Sequence, residues 1–237
     1  MKGRINSFQS LGTVDGPGVR SVVFMQGCPL RCICCHNPET WCLSGGEETT
    51  AAELIKKIIR FKPYFGAKGG VTVSGGEPLL QAEFVLELFE KLKALGINTA
   101  LDTSGCVLNS TVTDLLDVTD LVILDHKYSS AADYKAYTGA SLEKTEEFLA
   151  AVNKKGVTVW LRRVIIPEIN NSEESVNMLV STAKKFGCVK KVELLPFRNF
   201  CIEKYDNLNM EFKLKNTPPL SAQALETLNA LIPDEYK

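Results

Sequence analysis

The sequence predicts an α/β fold with one curved parallel sheet and helices on its outer side, either an incomplete barrel or an open doubly wound sheet. Three observations lead there. Apolar, β-branched runs of strand length alternate about six times with amphipathic runs of helical length. Short chemistry-bearing motifs follow these runs, at the edge where parallel α/β sheets collect their sites. No repeat and no linker-like stretch divides the 237 residues. A single domain over 1–237 is therefore expected, with a short N-terminal segment and a C-terminal helical extension.

RSVVFMQ (20–26) is the first predicted strand, and the cysteine-rich GCPLRCICCHN (27–37) follows it. TTAAELIKKIIRF (49–61) repeats its apolar residues at helical spacing and leads to a second strand, GVTVS (70–74), which opens into SGGEP. The next helix is QAEFVLELFEKLKALG (81–96), with Gly96 as its C-cap. NTALDTS (98–104) is the third strand and carries DTSG, NSTVTDLLDV (109–118) is a helix, and DLVILDH (120–126) is a strand running into DHK. SLEKTEEFLAAVNKKG (141–156) and SEESVNMLVSTAKKFG (172–187) are helices on either side of a longer strand, GVTVWLRRVIIP (156–167). VKKVELLPF (189–197) is the sixth strand and leads into PFRN; from Cys201 through NTPPLSAQ the chain reads as irregular, before a last helix in SAQALETLNALI (221–232).

Composition narrows the function. The chain is 45% hydrophobic and 23% charged with a formal net charge of −1, so no global positive field gathers nucleic acid or an anionic membrane surface. No apolar run has membrane-spanning length and the N-terminus has no secretion-signal pattern, which makes the cytoplasm the expected location. Eight cysteines, four of them within residues 28–35, then point to metal or redox chemistry in a reducing compartment.

Cys28, Cys32 and Cys35 have the spacing C-x3-C-x2-C. Three thiolates hold three irons of a [4Fe-4S] cube and leave the fourth iron open to a substrate or cofactor. A zinc site completed by His36 is the alternative, although four ligands within nine residues form a tight set. Cys34 is able to replace either neighbour. Cys42, Cys106, Cys188 and Cys201 are widely spaced and read as small buried side chains. Gly75 and Gly76 suit close backbone approach to a ligand, with Glu77 supplying charge or orientation; a plain strand-to-helix turn is the bland alternative. Asp102, Thr103 and Asp125 offer oxygens to a hard cation or to loop backbone. Lys127 and Arg162 fall at the same edge and balance a carboxylate there or form surface ion pairs. The DGPG turn at 15–18 is sharply shaped, and Asp15 is able to accept N–H bonds from a visiting peptide. From the residues alone, a metal-binding or redox-sensing protein without catalysis also remains open.

The cysteine loop after a first strand, followed by GGEP after the second, resembles the radical S-adenosylmethionine family. TVDGPGVRSVVFMQGC, CCHNPETW, GGVTVSGGEPLLQ, LDTSG, LDHK, VWLRRVIIP and KVELLPF extend the resemblance over nearly the whole chain. They narrow it to the activases of glycyl-radical enzymes. The resemblance implies a single-domain partial (β/α)6 TIM-like barrel with a [4Fe-4S] cluster on Cys28, Cys32 and Cys35. It implies S-adenosylmethionine near Cys34, His36, Gly75, Gly76, Glu77, Asp102, Lys127 and Arg162. It further implies a monovalent cation at Asp102, Thr103 and Asp125, and a partner segment received by Asp15, Gly16 and Arg198. In such enzymes one electron cleaves the cofactor to methionine and a 5′-deoxyadenosyl radical, which takes hydrogen from a glycine of the partner. The expected partner is pyruvate formate-lyase and the expected electron donor flavodoxin or ferredoxin, with the activase a monomer. Another glycyl-radical enzyme or a small molecule is the alternative substrate. Two departures stand out: Cys34 occupies an aromatic-like position of the family loop, and Arg198 replaces a histidine, which makes RNFCIEKYDN a candidate for partner specificity. Only about fourteen residues separate His36 from the first predicted helix, so no inserted second-cluster domain is expected.

Overall fold

A computed structural model describes residues 1–237. Its strands are β1 (Lys2–Gly12), β2 (Arg20–Met25), β3 (Glu47–Thr50), β4 (Gly70–Gly75), β5 (Asn98–Thr103), β6 (Leu121–Asp125), β7 (Thr158–Ile165) and β8 (Val189–Pro196). All eight form one sheet in the order β3-β1-β2-β4-β5-β6-β7-β8. From β2 through β8 every neighbouring pair is parallel, and each strand lies beside its predecessor among the six. The order never reverses. Winding therefore proceeds in one direction, which selects the incomplete barrel over the doubly wound sheet. β3 and β8 end the sheet without pairing to each other.

The helices are α1 (Ala51–Ile58), α2 (Ala82–Ala94), α3 (Ser110–Asp117), α4 (Ala131–Thr138), α5 (Leu142–Lys155), α6 (Glu173–Lys185), α7 (Ile202–Asn207) and α8 (Ala222–Asn229). Strand alternation sorts the two faces of the sheet. Val71 and Val73, Val122 and Leu124, and Val159 and Leu161 face outward into an apolar core of 41 buried residues shared with the helices. Each such side chain contributes about 1.5–3 kcal/mol on burial. The inner face is layered. Ala100, Leu121, Ile123 and Trp160 pack together, and two positions along their strands stand Asp102, Asp125 and Arg162. Period two thus carries an apolar layer to a charged one just where the strands end.

Four elements differ from expectation. β1 pairs antiparallel with β2 and β3, where only an N-terminal segment was expected. Residues 49 and 50 belong to β3, and Thr50 caps α1 in a reciprocal capping box with Glu53. α4 and α7 occupy stretches read as connection and irregular tail. No helix is long and apolar enough to cross a membrane.

Candidate active site

The C-terminal strand ends meet around a cavity of about 320 Å³. Cys28, Cys32, Cys34, Cys35 and His36 line it from the loop after β2. Gly75, Gly76 and Glu77 come from the end of β4, Asp102 and Thr103 from β5, Asp125 and Lys127 from β6, Arg162 from β7, and Asp15 from the turn before β2. Gly16 and Arg198 are not part of the lining.

The two helices that sequence periodicity missed hold the cysteine loop. Backbone N–H groups of Arg31 and Ile33 donate to the carbonyls of Thr138 at 2.8 Å and Tyr137 at 3.0 Å, at the end of α4. From α7, Tyr205 donates to the Cys35 carbonyl at 3.2 Å, and Lys204 reaches Asn37 at 2.8 Å and Glu39 at 2.6 Å. His36 is exposed, and its Nε2 donates to the Arg198 carbonyl at 2.7 Å, which fixes the ring orientation. Burial pushes the Cys28 thiol up to about 12 and Cys32 up to about 11, so these sulfurs give up their protons only to a strongly positive centre. No three His, Cys, Asp or Glu side chains converge on one point as a single shared ion needs. Cys28, Cys32 and Cys35 line one cavity from one loop, and none of them is in a disulfide. Three such thiolates, one to each of three irons, are the donor set of a [4Fe-4S] cluster. Cys106 and Cys201 are buried as expected, Cys106 against Leu30 and Cys32, but Cys42 is exposed, a correction to its reading as a buried residue.

Gly75 and Gly76 are demanded by neighbouring backbone. Gly75 has φ of +104°, and a Cβ there would collide with Met25 N, as one at Gly76 would with the Gly27 carbonyl oxygen. The β4 loop therefore presses directly on the start of the cysteine loop. Glu77 is buried, and its carboxylate accepts from Leu79 N, Thr103 Oγ1, Ser104 N and Ser104 Oγ. With those four donors in place, it fastens the β4 loop to the β5 loop at the cavity wall. The Thr103 hydroxyl is likewise engaged, by Glu77 and by Gly105 N.

The far wall is an alternating charge edge. Asp102 accepts from Ser74 at 2.8 Å and faces Arg162 at 3.8 Å. Burial, then the neighbouring Asp125 charge, pushes Asp102 up to about 7, with Arg162 opposing both. Lys127 bonds Asp125 at 2.8 Å; burial works against its charge, but the attraction of Asp125 outweighs that and holds it well above the ordinary lysine range. Arg162 also donates to Glu193 at 2.8 Å and to the Val14 carbonyl at 3.1 Å, so all three of its nitrogens have protein partners. Asp15 is raised by burial, against the pull of Arg162 and Arg20. Arg198 turns one arm to the Leu220 carbonyl at 2.7 Å, which ties it to its own C-terminal segment rather than presenting its full fork to a partner. Ser74, Glu193 and Tyr205 were missed in the sequence. For Glu193 a signal existed: Lys191 and Glu193 alternate with apolar residues, the mark of a strand with a polar inner face.

Residues 14–147 match the family model of the 4Fe-4S single cluster domain. The pyruvate formate-lyase-activating enzyme of Clostridium pasteurianum is 47% identical over 227 residues, 95% of each chain. The chain belongs to the pyruvate formate-lyase-activating enzyme family. Another relative, the pyruvate formate-lyase 1-activating enzyme of Escherichia coli (strain K12), is 40% identical over 233 residues, 97% of this chain and 95% of that one. In fold the chain is similar to a radical SAM methyltransferase from Sphaerobacter thermophilus, with a TM-score of 0.60 at 14% identity over 91% of this chain and 64% of that one. As a member of the activating-enzyme family it is a glycyl-radical activase of the radical S-adenosylmethionine type, with a [4Fe-4S] cluster and S-adenosylmethionine as cofactors. The partial barrel expected from the sequence is the fold observed.

Proposed function

We propose that this activase acts on pyruvate formate-lyase, with Cys28, Cys32 and Cys35 holding its cluster. Held by these three thiolates, the cluster would supply the electron for reductive cleavage of S-adenosylmethionine, the chemistry by which hydrogen would be taken from the partner's glycine. The chain's own residues organise that event. Tyr205, Lys204 and the end of α4 fix the cysteine loop, and Glu77 locks the β4 loop against β5. Lys127 sets a fixed positive charge beside Asp125, suited to a carboxylate of the cofactor. Asp102 and Asp125 repel one another, so a monovalent cation held between their oxygens, with Thr103 beside them, would relieve the cost of ionising both. Cys34 and His36 offer the cofactor van der Waals and backbone contact. Arg162 links Asp102 to Val14, and so ties the cofactor wall to the Asp15 turn that receives the partner. Flavodoxin or ferredoxin fits as electron donor, the cytoplasm as location and a monomer as working state.

The observation that carries this reading is the meeting of the cysteine loop, the charge edge and Asp15 in one cavity, in a chain 47% identical to an enzyme of that name. Reduced protein is incubated anaerobically with S-adenosylmethionine and candidate partners, and the glycyl-radical doublet is recorded by electron paramagnetic resonance. A doublet on pyruvate formate-lyase that vanishes in the partner's Gly→Ala form is expected. A doublet only on another glycyl-radical enzyme, or cofactor cleavage with no protein radical, refutes the assignment.

A further inference from the structure

Phe200 is 84% exposed, more than any other large apolar side chain of the molecule, yet its backbone is fixed on both sides. Before it, Phe197 is fully buried, and Arg198 receives His36 on its carbonyl and gives a guanidinium bond to the Leu220 carbonyl, both at 2.7 Å. After it, Cys201 is buried and α7 is bonded to the cysteine loop through Lys204 and Tyr205. A phenyl ring held in water by a pinned backbone packs on nothing of its own chain. A single exposed apolar side chain is ordinary on a protein surface, but one carried on a fixed backbone has little ordering left to undergo on binding.

Its backbone lies close to the cavity wall, since the carbonyl of Arg198, two residues earlier, is bonded to the cavity-lining His36. Val14 is a second case: it is 75% exposed and precedes the cavity-lining Asp15. Its carbonyl is held by Arg162 at 3.1 Å, and the next carbonyl, of Asp15, by Thr72 at 2.6 Å. The cavity lining mixes thiols, carboxylates and cations with Phe24, Leu30, Trp41, Val164 and Leu195. A target glycine presents only backbone to such a lining, so selectivity has to come from the residues beside the glycine, where they meet the rim.

We infer that Phe200, together with Val14, is the apolar anchor for the residues flanking the target glycine, and thereby determines which glycyl-radical segment is accepted. The inference rests on the activase function and deepens it. The segment it selects is extended, with an apolar or aromatic side chain close to its glycine.

Glycyl-radical yield is measured against partner concentration for wild type, Phe200→Ala, Phe200→Leu and Phe200→Glu, with partner-independent cleavage of S-adenosylmethionine followed in parallel. Loss of an anchor of this kind predicts about a 30-fold rise in half-saturating partner for Phe200→Ala. Phe200→Leu should be milder and Phe200→Glu more severe, with yield recovered at saturating partner. Unchanged half-saturation in Phe200→Ala and Phe200→Glu overturns the anchor while leaving the activase function standing. An equal loss of partner-independent cleavage also overturns it, since the effect would then lie in the cavity. Wild-type protein that cleaves the cofactor but marks no partner overturns the activase function, and the anchor with it.

Discussion

Glu77→Gln preserves the size of a buried side chain and changes only the sense of its hydrogen bonds. Glu77 is 1% exposed. Its Oε1 accepts from Leu79 N at 3.1 Å and Thr103 Oγ1 at 2.5 Å, and its Oε2 from Ser104 N at 3.0 Å and Ser104 Oγ at 2.5 Å. The two hydroxyls are able to turn and accept instead, but the two backbone N–H groups are not. Whichever way the new amide sits, its NH2 faces one of those N–H groups. One charge-assisted bond is lost outright, a buried donor is left unmatched, and the surviving bonds weaken. A bond to a charged group is worth about 1.5–3 kcal/mol and an unmatched buried donor costs about 1–3 kcal/mol, so a loss near 3 kcal/mol is expected. At about 2–4 °C per kcal/mol for a chain of this length, Tm should fall by about 6–12 °C. Thermal unfolding of anaerobically purified wild type and variant, followed by circular dichroism, measures it. A Tm within about 1 °C of wild type would refute the claim that Glu77 fastens the two loops.

Two further outcomes follow from the same geometry. Anaerobic reconstitution should load about four irons and four sulfides per chain, and Cys28→Ala, Cys32→Ala or Cys35→Ala should each abolish the paramagnetic signal of the reduced cluster; full retention in Cys32→Ala, or loss in Cys34→Ala alone, reassigns the thiolates. Acid sensitivity should centre on His126, whose imidazole is held at about 3 against an ordinary 6.5, first by burial and then by Arg163. Arg163 lies 2.8 Å from its Nδ1, and its Nε2 has no partner in the protein. As pH falls below 6.5 the unfolded chain takes up a proton that the folded ring refuses, so the stability of the neutral form is complete above that value and is lost toward about 3. Urea midpoints between about pH 7.5 and 5 should fall less steeply in His126→Leu than in wild type; parallel curves would remove His126 from the account.

The six parallel strands were legible because each is a short apolar run bounded by turn residues, and the cavity residues were legible because chemistry follows those runs. β1 was not. Its eleven residues carry few apolar side chains, and two register shifts, between Ile5 and Ser7 and between Gln9 and Gly12, interrupt the alternation on which strand reading depends. α4 buries only Tyr134 and Thr138 and so shows no apolar stripe, while α7 has six residues, too few for a period to emerge. In the site, sequence identifies residue types but not how many of their bonds are already made. Glu77, Thr103 and Arg162 were each open between a ligand role and a structural one in the sequence, and neighbours engage all three in the fold. Phe200 lay within RNFCIEKYDN, a candidate for partner specificity, but only the folded chain shows its ring turned outward.

The sheet that surrounds the cavity is a clip rather than a ring. β3 and β8 are not joined by hydrogen bonds, so the arc can flex without breaking a backbone ladder, and resistance to spreading comes from side-chain packing alone. A closed barrel of the same strands would have to rupture a ladder to admit anything wider than its mouth. Mechanical compliance of this kind suits a catalyst whose substrate is part of another folded protein: the segment can be gripped for one hydrogen transfer and released intact, with the radical left behind on it.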